Sequence, residues 1–467
     1  MTVLMRTGIP GLDAPLGGGI PRNSMVIVEG EPGTGKSTTG LQFICEGALQ
    51  YHEPGVYISL EELPDDIYKN ATQFGYDLKQ LENDGLVRVI GCAPELFFEQ
   101  VHGSEAYLQS MVKEIGAQRM VIDSLNLILL TERAERDRGN LYSLFQALRR
   151  LSLTVLLVRE CTSDSGTYAI EHFVCDGIIH LGKRSHDDTF SSRTLQVTKM
   201  RRSAFDAREF VFRISSSGIY VASPMGSIPT DADLHWMAHR EQFEIILSQT
   251  LVTGSVTLFD ISSLVHLLPI KKAIMRHRLK QGDTQFIWSL SASTTIQRFL
   301  EMSPEIMDSF LDGRIRFIEH LRRTNDFENH PYVLNATKFN LDEYRNFLME
   351  KIVASIVESR LSSRTQWLLG YDINDVHNVY GSEAIIRIFP EIAAYERALG
   401  LTTVILVNLN EISGKVRAML ERCSDHIVHI WVERGYEYLQ VVKGSFEWSS
   451  RPFLVETQSK SMDIGLV

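Results

Sequence analysis

The chain has few cysteines and no long apolar run. Its five cysteines are scattered over 467 residues without a CxxC pair, which argues against a disulfide framework or a zinc site and favours a reducing, cytoplasmic setting. The longest apolar runs, such as LSLTVLLV from Leu151, have the length of a strand, whereas a membrane span needs ~18–20 apolar residues. The first residues also lack the apolar core of a secretory signal. We therefore expect a cytoplasmic protein without a membrane partner.

The chain also lacks a basic surplus, since its net charge is −11. Proteins that bind mainly to a nucleic-acid backbone usually carry excess positive charge, because neutralised phosphates supply much of the affinity. The composition therefore disfavours nucleic acid as a partner. With 44% hydrophobic and 22% charged residues, the chain is composed like a globular protein, and its length predicts two or three domains.

The most specific stretch is SMVIVEGEPGTGKSTTGLQF. An apolar strand, Met25 to Val28, leads into the pattern Gly-x-x-x-x-Gly-Lys-Ser, and a helical pattern follows. Glycines at these positions let backbone N–H groups surround the phosphates of a nucleotide, and the helix N-terminus adds its positive dipole. The lysine reaches the phosphates and the serine hydroxyl binds Mg²⁺. The predicted nucleotide-binding residues are Gly30, Glu31, Pro32, Gly33, Thr34, Gly35, Lys36, Ser37 and Thr38.

Two further strands end in carboxylates. The apolar strand Val56 to Leu60 ends in Glu61 and Glu62, where a carboxylate can orient or deprotonate the attacking water. The competing interpretation is a pair of acids at a helix N-terminus. A third strand ends in Asp123, where a Walker-B acid would hold the water shell of Mg²⁺ together with Ser37. These strands alternate with helical patterns, which predicts a mostly parallel α/β sheet with the nucleotide at its carboxyl edge.

Several segments of the first half together resemble the ATPase domain of the KaiC branch of the RecA superfamily. The likeness covers roughly residues 1–222 and includes MRTGIPGLDAPLGGGIPRNSMVIVEGEPGTGKS, EPGVYISLEELPDD, VIDSLNLI and FVCDGIIHL. It implies an ATPase that assembles into a ring, usually a hexamer, with ATP and Mg²⁺ between neighbouring subunits. By the same resemblance, Glu61 and Glu62 match the paired catalytic glutamates and Asp123 matches the Walker-B acid.

The segment LQVTKMRRSAF belongs to the same resemblance. Lys199 and Arg201 match a Lys-x-Arg pair that reaches the γ-phosphate bound to the next subunit. A cation at that point stabilises transition-state charge, so hydrolysis would depend on assembly. Without the resemblance, a solvated basic turn of a hairpin would be the better interpretation.

The second half repeats the first. Residues 223–240 read as a linker, and residues 241–467 follow the earlier strands in the same order, for example TQWLLGYD after QRMVID. Asp372 stands 249 residues after Asp123, and Asp425 stands 249 after Asp176. We therefore predict two tandem RecA-like P-loop domains, residues 1–222 and 241–467.

The second copy has lost the residues of the nucleotide site. Leu267 and Leu268 replace Lys36 and Ser37, and none of the three P-loop glycines is retained. Side chains at those positions block the backbone access that phosphates need. Asp372 is retained, in a segment more typical of a capped turn than of a metal site. The counterparts of Glu61 and Glu62 are Ser291 and Ala292, and Ser445 stands where Arg201 would be.

These observations favour a slowly ATP-hydrolysing ring switch with a pseudo-ATPase second domain, and autokinase activity is disfavoured because that domain lacks a P-loop. Two alternatives stay open. The first is a regulator of the GvpD type, in which ATP is a ligand and a signalling protein is the partner. The second is a DNA-remodelling ATPase. Against it, the stretches LTERAERDRGN and CTSDSGTYAIEH, where recombinases carry DNA-binding loops, are mixed or acidic and lack a Gly-rich basic run.

Overall fold

The protein is described by a computed structural model, and the chain divides into two compact units, residues 1–232 and 233–467. The structure describes residues 3–97, 107–130, 137–161, 170–186, 190–225, 233–288, 296–301, 303–319, 330–336, 339–354, 356–358, 366–444, 451–457 and 463–466.

The first unit is built on a nine-stranded sheet with the order β11-β10-β9-β8-β3-β7-β6-β4-β5. The strands from β8 to β5 in this order pair in parallel, and β8 to β11 form an antiparallel extension. A two-stranded sheet, β1-β2, stands apart. The strands are β1 Leu4–Met5, β2 Ile20–Pro21, β3 Met25–Gly30, β4 Gly55–Ser59, β5 Val87–Gly91, β6 Arg119–Asp123, β7 Thr154–Glu160, β8 Gly177–His186, β9 Phe190–Met200, β10 Glu209–Ser215 and β11 Gly218–Val221.

Helices connect the parallel strands of the first unit. They span Lys36–Tyr51, Pro64–Gln73, Leu78–Asn83, Tyr107–Ile115, Leu125–Leu130, Asp137–Arg150 and Ile170–Val174. Because helices cover both faces, the inner strands are buried on both sides and read as continuous apolar runs. Every residue of β3 and of β4 is buried.

The second unit has a ten-stranded sheet with the order β15-β14-β13-β16-β17-β12-β18-β19-β20-β21. Its inner order, β14-β13-β16-β17-β12-β18, is that of β5-β4-β6-β7-β3-β8, again with parallel pairing. The strands are β12 Val256–Ile261, β13 Thr284–Trp288, β14 Ile315–Glu319, β15 Val333–Asn335, β16 Trp367–Asp372, β17 Thr402–Val407, β18 His426–Glu433, β19 Tyr436–Lys443, β20 Phe453–Thr457 and β21 Ile464–Leu466. The prediction of an α/β protein with mostly parallel central sheets is confirmed.

The helices of the second unit also alternate with its strands. One of them, Asp233–Thr250, begins within the segment that the sequence assigned to a linker. The longest, Ile373–Ala398, has a non-helical backbone at Gly381. The helical segments span Asp233–Thr250, Leu267–Lys280, Ile296–Glu301, Pro304–Leu311, Leu341–Asn346, Phe347–Val353 (a π-helix), Ile373–Ala398, Leu409–Glu411 (a 3₁₀-helix) and Gly414–Cys423.

The strand register shows where the two copies correspond. The helix after β3 begins at Lys36 and the helix after β12 begins at Leu267, as the alignment predicts. Asp123 pairs with Val158 and Asp372 with Leu406, so β17 follows β7 by 248 residues and not by 249. The second unit lacks one residue just after Asp372. The segment Asp-Ser-Leu-Asn at residues 123–126 corresponds there to Asp-Ile-Asn at residues 372–374.

Candidate nucleotide site

The P-loop turn depends on its glycines. Gly33 and Gly35 adopt positive φ angles of 73° and 104°, a region that side-chain-bearing residues avoid. A Cβ atom on Gly30 would lie 2.2 Å from the carbonyl oxygen of Leu181, so the strand end admits no larger residue. Thr34 closes the turn by donating its hydroxyl to the carbonyl of Glu31 at 2.8 Å. The loop therefore ends with its backbone at the N-terminus of the following helix, which is the geometry that anions favour.

Lys36 is buried at the first position of that helix. Its Nζ donates to the carbonyl oxygen of Glu31 at 3.0 Å and lies 3.4 Å from the Glu160 carboxylate. Glu160 ends β7, which pairs directly with the P-loop strand, so it occupies the same carboxyl edge. Sequence reasoning missed this residue, although its place at the end of an apolar strand was the signal that could have found it.

Asp123 lies at the end of β6, near the Ser37 hydroxyl, which lowers the pKa of the Asp123 carboxyl. Tyr57 donates its hydroxyl to Asp123 Oδ2 at 2.8 Å. Burial raises the pKa of Asp123, and the bonds from Ser37 and Tyr57 and the charge of Lys36 partly offset that rise. A carboxylate and a hydroxyl are hard oxygen ligands, and Mg²⁺ is usually held by one or two such groups together with phosphates and waters. The two predicted metal ligands are therefore together and fit Mg²⁺.

Glu61 and Glu62 follow β4 and both are exposed. Ser124 donates its hydroxyl to the Glu61 carboxylate, which ties this residue to the Walker-B strand. Asn70 donates to the Glu62 carboxylate at 3.0 Å, and burial together with the negative charge of Asp123 raises the pKa of Glu62. Both glutamates precede the helix Pro64–Gln73, whose N-cap is Leu63.

Lys199 and Arg201 make contacts within their own chain. Lys199 Nζ donates to the carbonyl oxygens of His172 and Cys175 at 2.6 and 2.8 Å, and burial lowers the pKa of Lys199. Arg201 donates to the carbonyl of Phe173 at 3.1 Å. The second unit repeats the first of these arrangements, because Lys443 donates to the carbonyls of Glu421 and Ser424 at 2.9 and 2.6 Å.

The repeated bonds show that Lys199 has a structural role. The second unit has no lysine at the P-loop position, and yet Lys443 caps the same carbonyls. A lysine that serves only a neighbour's phosphate would have no reason to keep these bonds there. Arg201 is exposed, and its expected counterpart, Ser445, lies outside the described residues.

The second unit has a resident ammonium group at the Walker-B position. Lys271 Nζ lies 3.2 Å from Asp372 Oδ2, and Lys271 is 2% exposed. By register, Lys271 occupies the place of Gly40, and Gly370 occupies the place of Val121. In the first unit a side chain at Gly40 would meet Val121 at 2.8 Å. In the second unit the long side chain is on the helix and the glycine is on the strand, so Lys271 can extend past Gly370 to Asp372.

Part of the predicted comparison falls outside the described residues. Ser291 and Ala292, the counterparts of Glu61 and Glu62, lie there, as do most of the two stretches compared with DNA-binding loops. Among the residues that the structure does describe, no group of three or more His, Cys, Asp or Glu side chains is placed to hold a metal ion. No helix in the same part of the chain is long and apolar enough to cross a membrane.

Comparison with known proteins finds relatives of the first unit. Residues 5–225 match the family model described as "ATPase: KaiC". A UPF0273 protein of Thermotoga maritima is 34% identical over 233 residues, which is 46% of this chain and 95% of the relative. The circadian clock oscillator protein KaiC of Synechococcus elongatus is 30% identical over 234 residues, or 48% of this chain.

The match spans 45% of the length of that KaiC protein, so the chain is similar to less than half of it. Among solved structures, the KaiC-like protein of Pyrococcus horikoshii is 32% identical, with 48% of this chain and 100% of that one covered and a TM-score of 0.44.

Proposed function

The chain belongs to the family of KaiC-like ATPases, and on that premise we propose that its first unit binds ATP with Mg²⁺ and hydrolyses it slowly at interfaces between identical subunits. The observation that carries the proposal is the meeting of Lys36, Ser37 and Asp123 at one carboxyl edge, beside a glycine-dependent anion turn. Family membership supports nucleotide binding and ATPase chemistry at this site.

Each residue has a role that its position supports. The backbone N–H groups of the loop at residues 30–37, apart from Pro32, which has none, would surround the phosphates, and Lys36 would neutralise their charge. Ser37 and Asp123 would hold Mg²⁺, which supplies charge neutralisation between the phosphates. Glu61 is bonded to Ser124 beside Asp123, so it is the glutamate better placed to orient the attacking water, while Glu62 is bonded to Asn70.

The proposed assembly is a homo-oligomeric ring, as the resemblance implies, with six subunits as the expected number. Arg201 is the cation that we assign to the neighbouring subunit's γ-phosphate, because it is exposed and has one carbonyl contact to give up. Lys199 would support it by fixing the preceding backbone. A charge supplied in this way accelerates phosphoryl transfer by roughly 10³-fold or more.

The second unit is proposed to be a pseudo-ATPase that serves as a structural or partner-binding domain. Lys271 supplies to Asp372 the positive charge that Mg²⁺ would supply to Asp123. A metal ion beside that ammonium would be repelled. Leu267 and Leu268 carry no cation or hydroxyl at the positions of Lys36 and Ser37.

A second candidate function is a regulator in which ATP binding itself is the signal. The contact between Lys36 and Glu160 favours it, since a triphosphate must compete with that carboxylate for the lysine and would shift the end of β7. In that case a signalling protein would bind only with ATP present, and Glu61→Gln would leave this binding unchanged.

Replacement of the P-loop lysine tests the proposal. We expect Lys36→Ala to abolish ATP binding and turnover, because no other cation in the predicted loop contacts the phosphates. Binding of a fluorescent ATP analogue and phosphate release measure the two effects. Leu267→Ala, at the same position of the second unit, is the matched control and should retain both. Full ATPase activity in Lys36→Ala would overturn the assignment.

A further inference from the structure

A single helical turn, Ile170–Val174, contacts the P-loop strand through its side chains. His172 Nε2 lies 2.7 Å from Glu29 Oε2, and Glu29 immediately precedes Gly30. Arg159 Nη1 lies 2.8 Å from the same oxygen, and Arg159 Nε lies 2.8 Å from Glu171. The four side chains are at most 13% exposed, so this cluster is screened little by solvent.

The backbone of the same turn holds the two basic residues of the hairpin. Its carbonyls at His172 and Phe173 accept hydrogen bonds from Lys199 and Arg201, at 2.6 and 3.1 Å. A movement of the turn must therefore move Arg201 or break its bond. The turn thus contacts the P-loop strand on one side and the exposed arginine on the other.

We propose that Glu29, Arg159 and His172 are positioning residues, which couple the nucleotide state of a subunit's own P-loop to the placement of Arg201. The inference rests on the proposed role of Arg201 at the neighbouring subunit's site. In a ring, ATP binding in one subunit would thereby change the position of that subunit's Arg201, which acts at the nucleotide site of the neighbouring subunit.

Glu160 connects the nucleotide site to the cluster of Glu29, Arg159 and His172. Glu160 pairs with Lys36 at 3.4 Å and is adjacent to Arg159 in β7. Binding of a triphosphate to Lys36 releases the Glu160 carboxylate, and the end of β7 carries any resulting shift to Arg159. Although burial opposes it, the contacts with His172 and Arg159, and with His180 at 3.7 Å, lower the pKa of Glu29 to about 2, so Glu29 is ionised at neutral pH.

The second unit supports this proposal, because it retains the lysine cap but not the counterparts of Arg159 and His172. Asp260 stands in the place of Glu29 and pairs with His429 at 2.7 Å. Val407 stands in the place of Arg159 by strand register, and Glu421 in the place of His172, since Lys443 binds its carbonyl. The lysine cap is thus repeated without the Glu29–Arg159–His172 link, in the unit that has no P-loop lysine.

A double-mutant cycle between Glu29 and Arg201 tests the coupling in the full chain. We expect Glu29→Gln to bind the fluorescent ATP analogue within about threefold of wild type while its maximal turnover falls roughly tenfold, the effect of one lost positioning bond. Arg201→Ala should lower turnover by roughly 10³-fold. The double variant should be no slower than Arg201→Ala, because Glu29 acts through that arginine.

Asp260→Asn is the matched control, since it changes the same strand-end acid in the other unit, and it should retain wild-type turnover. Equal turnover of Glu29→Gln and wild type, or losses that multiply in the double variant, would overturn the coupling and leave the proposed function standing. Wild-type turnover in Arg201→Ala would overturn both the coupling and the trans-acting role of the arginine.

Discussion

Single residues distinguish the two units at the end of the strand that carries Asp123 in the first unit and Asp372 in the second. In the first unit the Walker-B acid, Asp123, contacts a serine hydroxyl and a tyrosine hydroxyl, which are neutral groups that leave room for a divalent cation. In the second, Asp372 contacts the ammonium of Lys271. The sequence predicted the loss of the P-loop lysine but not the gain of this one, because Lys271 lies four residues further along the helix, outside the motif.

The burial of Glu396 in the second unit makes the stability of that unit depend on pH. It is fully buried, accepts hydrogen bonds from Tyr371 and from Thr403 (2.6 Å to Oε2), and burial raises its pKa from 4.5 to about 7. The folded state therefore holds a proton that the unfolded chain releases near pH 4.5. The contribution of Glu396 to the stability of the second unit is therefore lost as pH rises from about 4.5 to 7, by roughly 3 kcal/mol at most, and is constant above that range.

We expect Glu396→Gln to flatten this dependence, because the amide cannot ionise. Burial also raises the pKa of Glu437 to about 7, so part of the slope should persist. Thermal unfolding between pH 5 and 8 measures the effect, with the exposed Glu391→Gln as the control. An unchanged slope in Glu396→Gln would show that this carboxyl is not the titrating group.

At the scale of elements, the repeat conserves interactions while exchanging the residues that make them. In the first unit Arg119, on β6, pairs with Glu53, and a side chain at Gly47 would lie 2.4 Å from it. In the second unit Leu368 replaces Arg119 by register, and the arginine, Arg278, comes from the helix position of Gly47 and pairs with Asp283. The buried pair is kept and its cation has moved from strand to helix.

The exchange of Gly40 and Val121 for Lys271 and Gly370 follows the same pattern. The succession of strands along the chain, the helix starts and the missing P-loop could be predicted from the sequence, because each leaves a local pattern. These exchanges could not, because each involves two positions that are distant in the chain and meet only across a helix–sheet contact. The sequence did not reveal that β17 follows β7 by 248 residues and not by 249. An apolar run aligns equally well with the apolar run of β7 at either offset.

The Lys271–Asp372 pair gives a prediction about stability. Lys271→Met leaves the Asp372 carboxylate buried without its ammonium partner, so the free energy of unfolding of the second unit should fall by about 3–5 kcal/mol. The double variant Lys271→Met/Asp372→Asn removes the uncompensated charge and keeps a helix-capping side chain, and should recover much of the loss. Denaturant unfolding followed in the full chain measures both. A double variant as unstable as the single one would contradict this account of Asp372.

At the scale of the whole molecule, one inner sheet order occurs twice, and the residues proposed for the nucleotide site occur once. The same inner strand order occurs in both units, so the architecture does not depend on the catalytic residues. Under the proposed function, each chain would bind ATP at one site, in the first unit.

Native mass spectrometry of the full chain with Mg²⁺ and a slowly hydrolysed ATP analogue tests the central claim most directly, because it reports the nucleotide count and the oligomeric state together. We predict a ring with one nucleotide for each chain, and neither nucleotide nor nucleotide-dependent assembly in Lys36→Ala. Two nucleotides for each chain, or nucleotide retained by Lys36→Ala, would contradict the claim that only the first unit holds ATP. A strict monomer with one bound nucleotide would contradict the role proposed for Arg201.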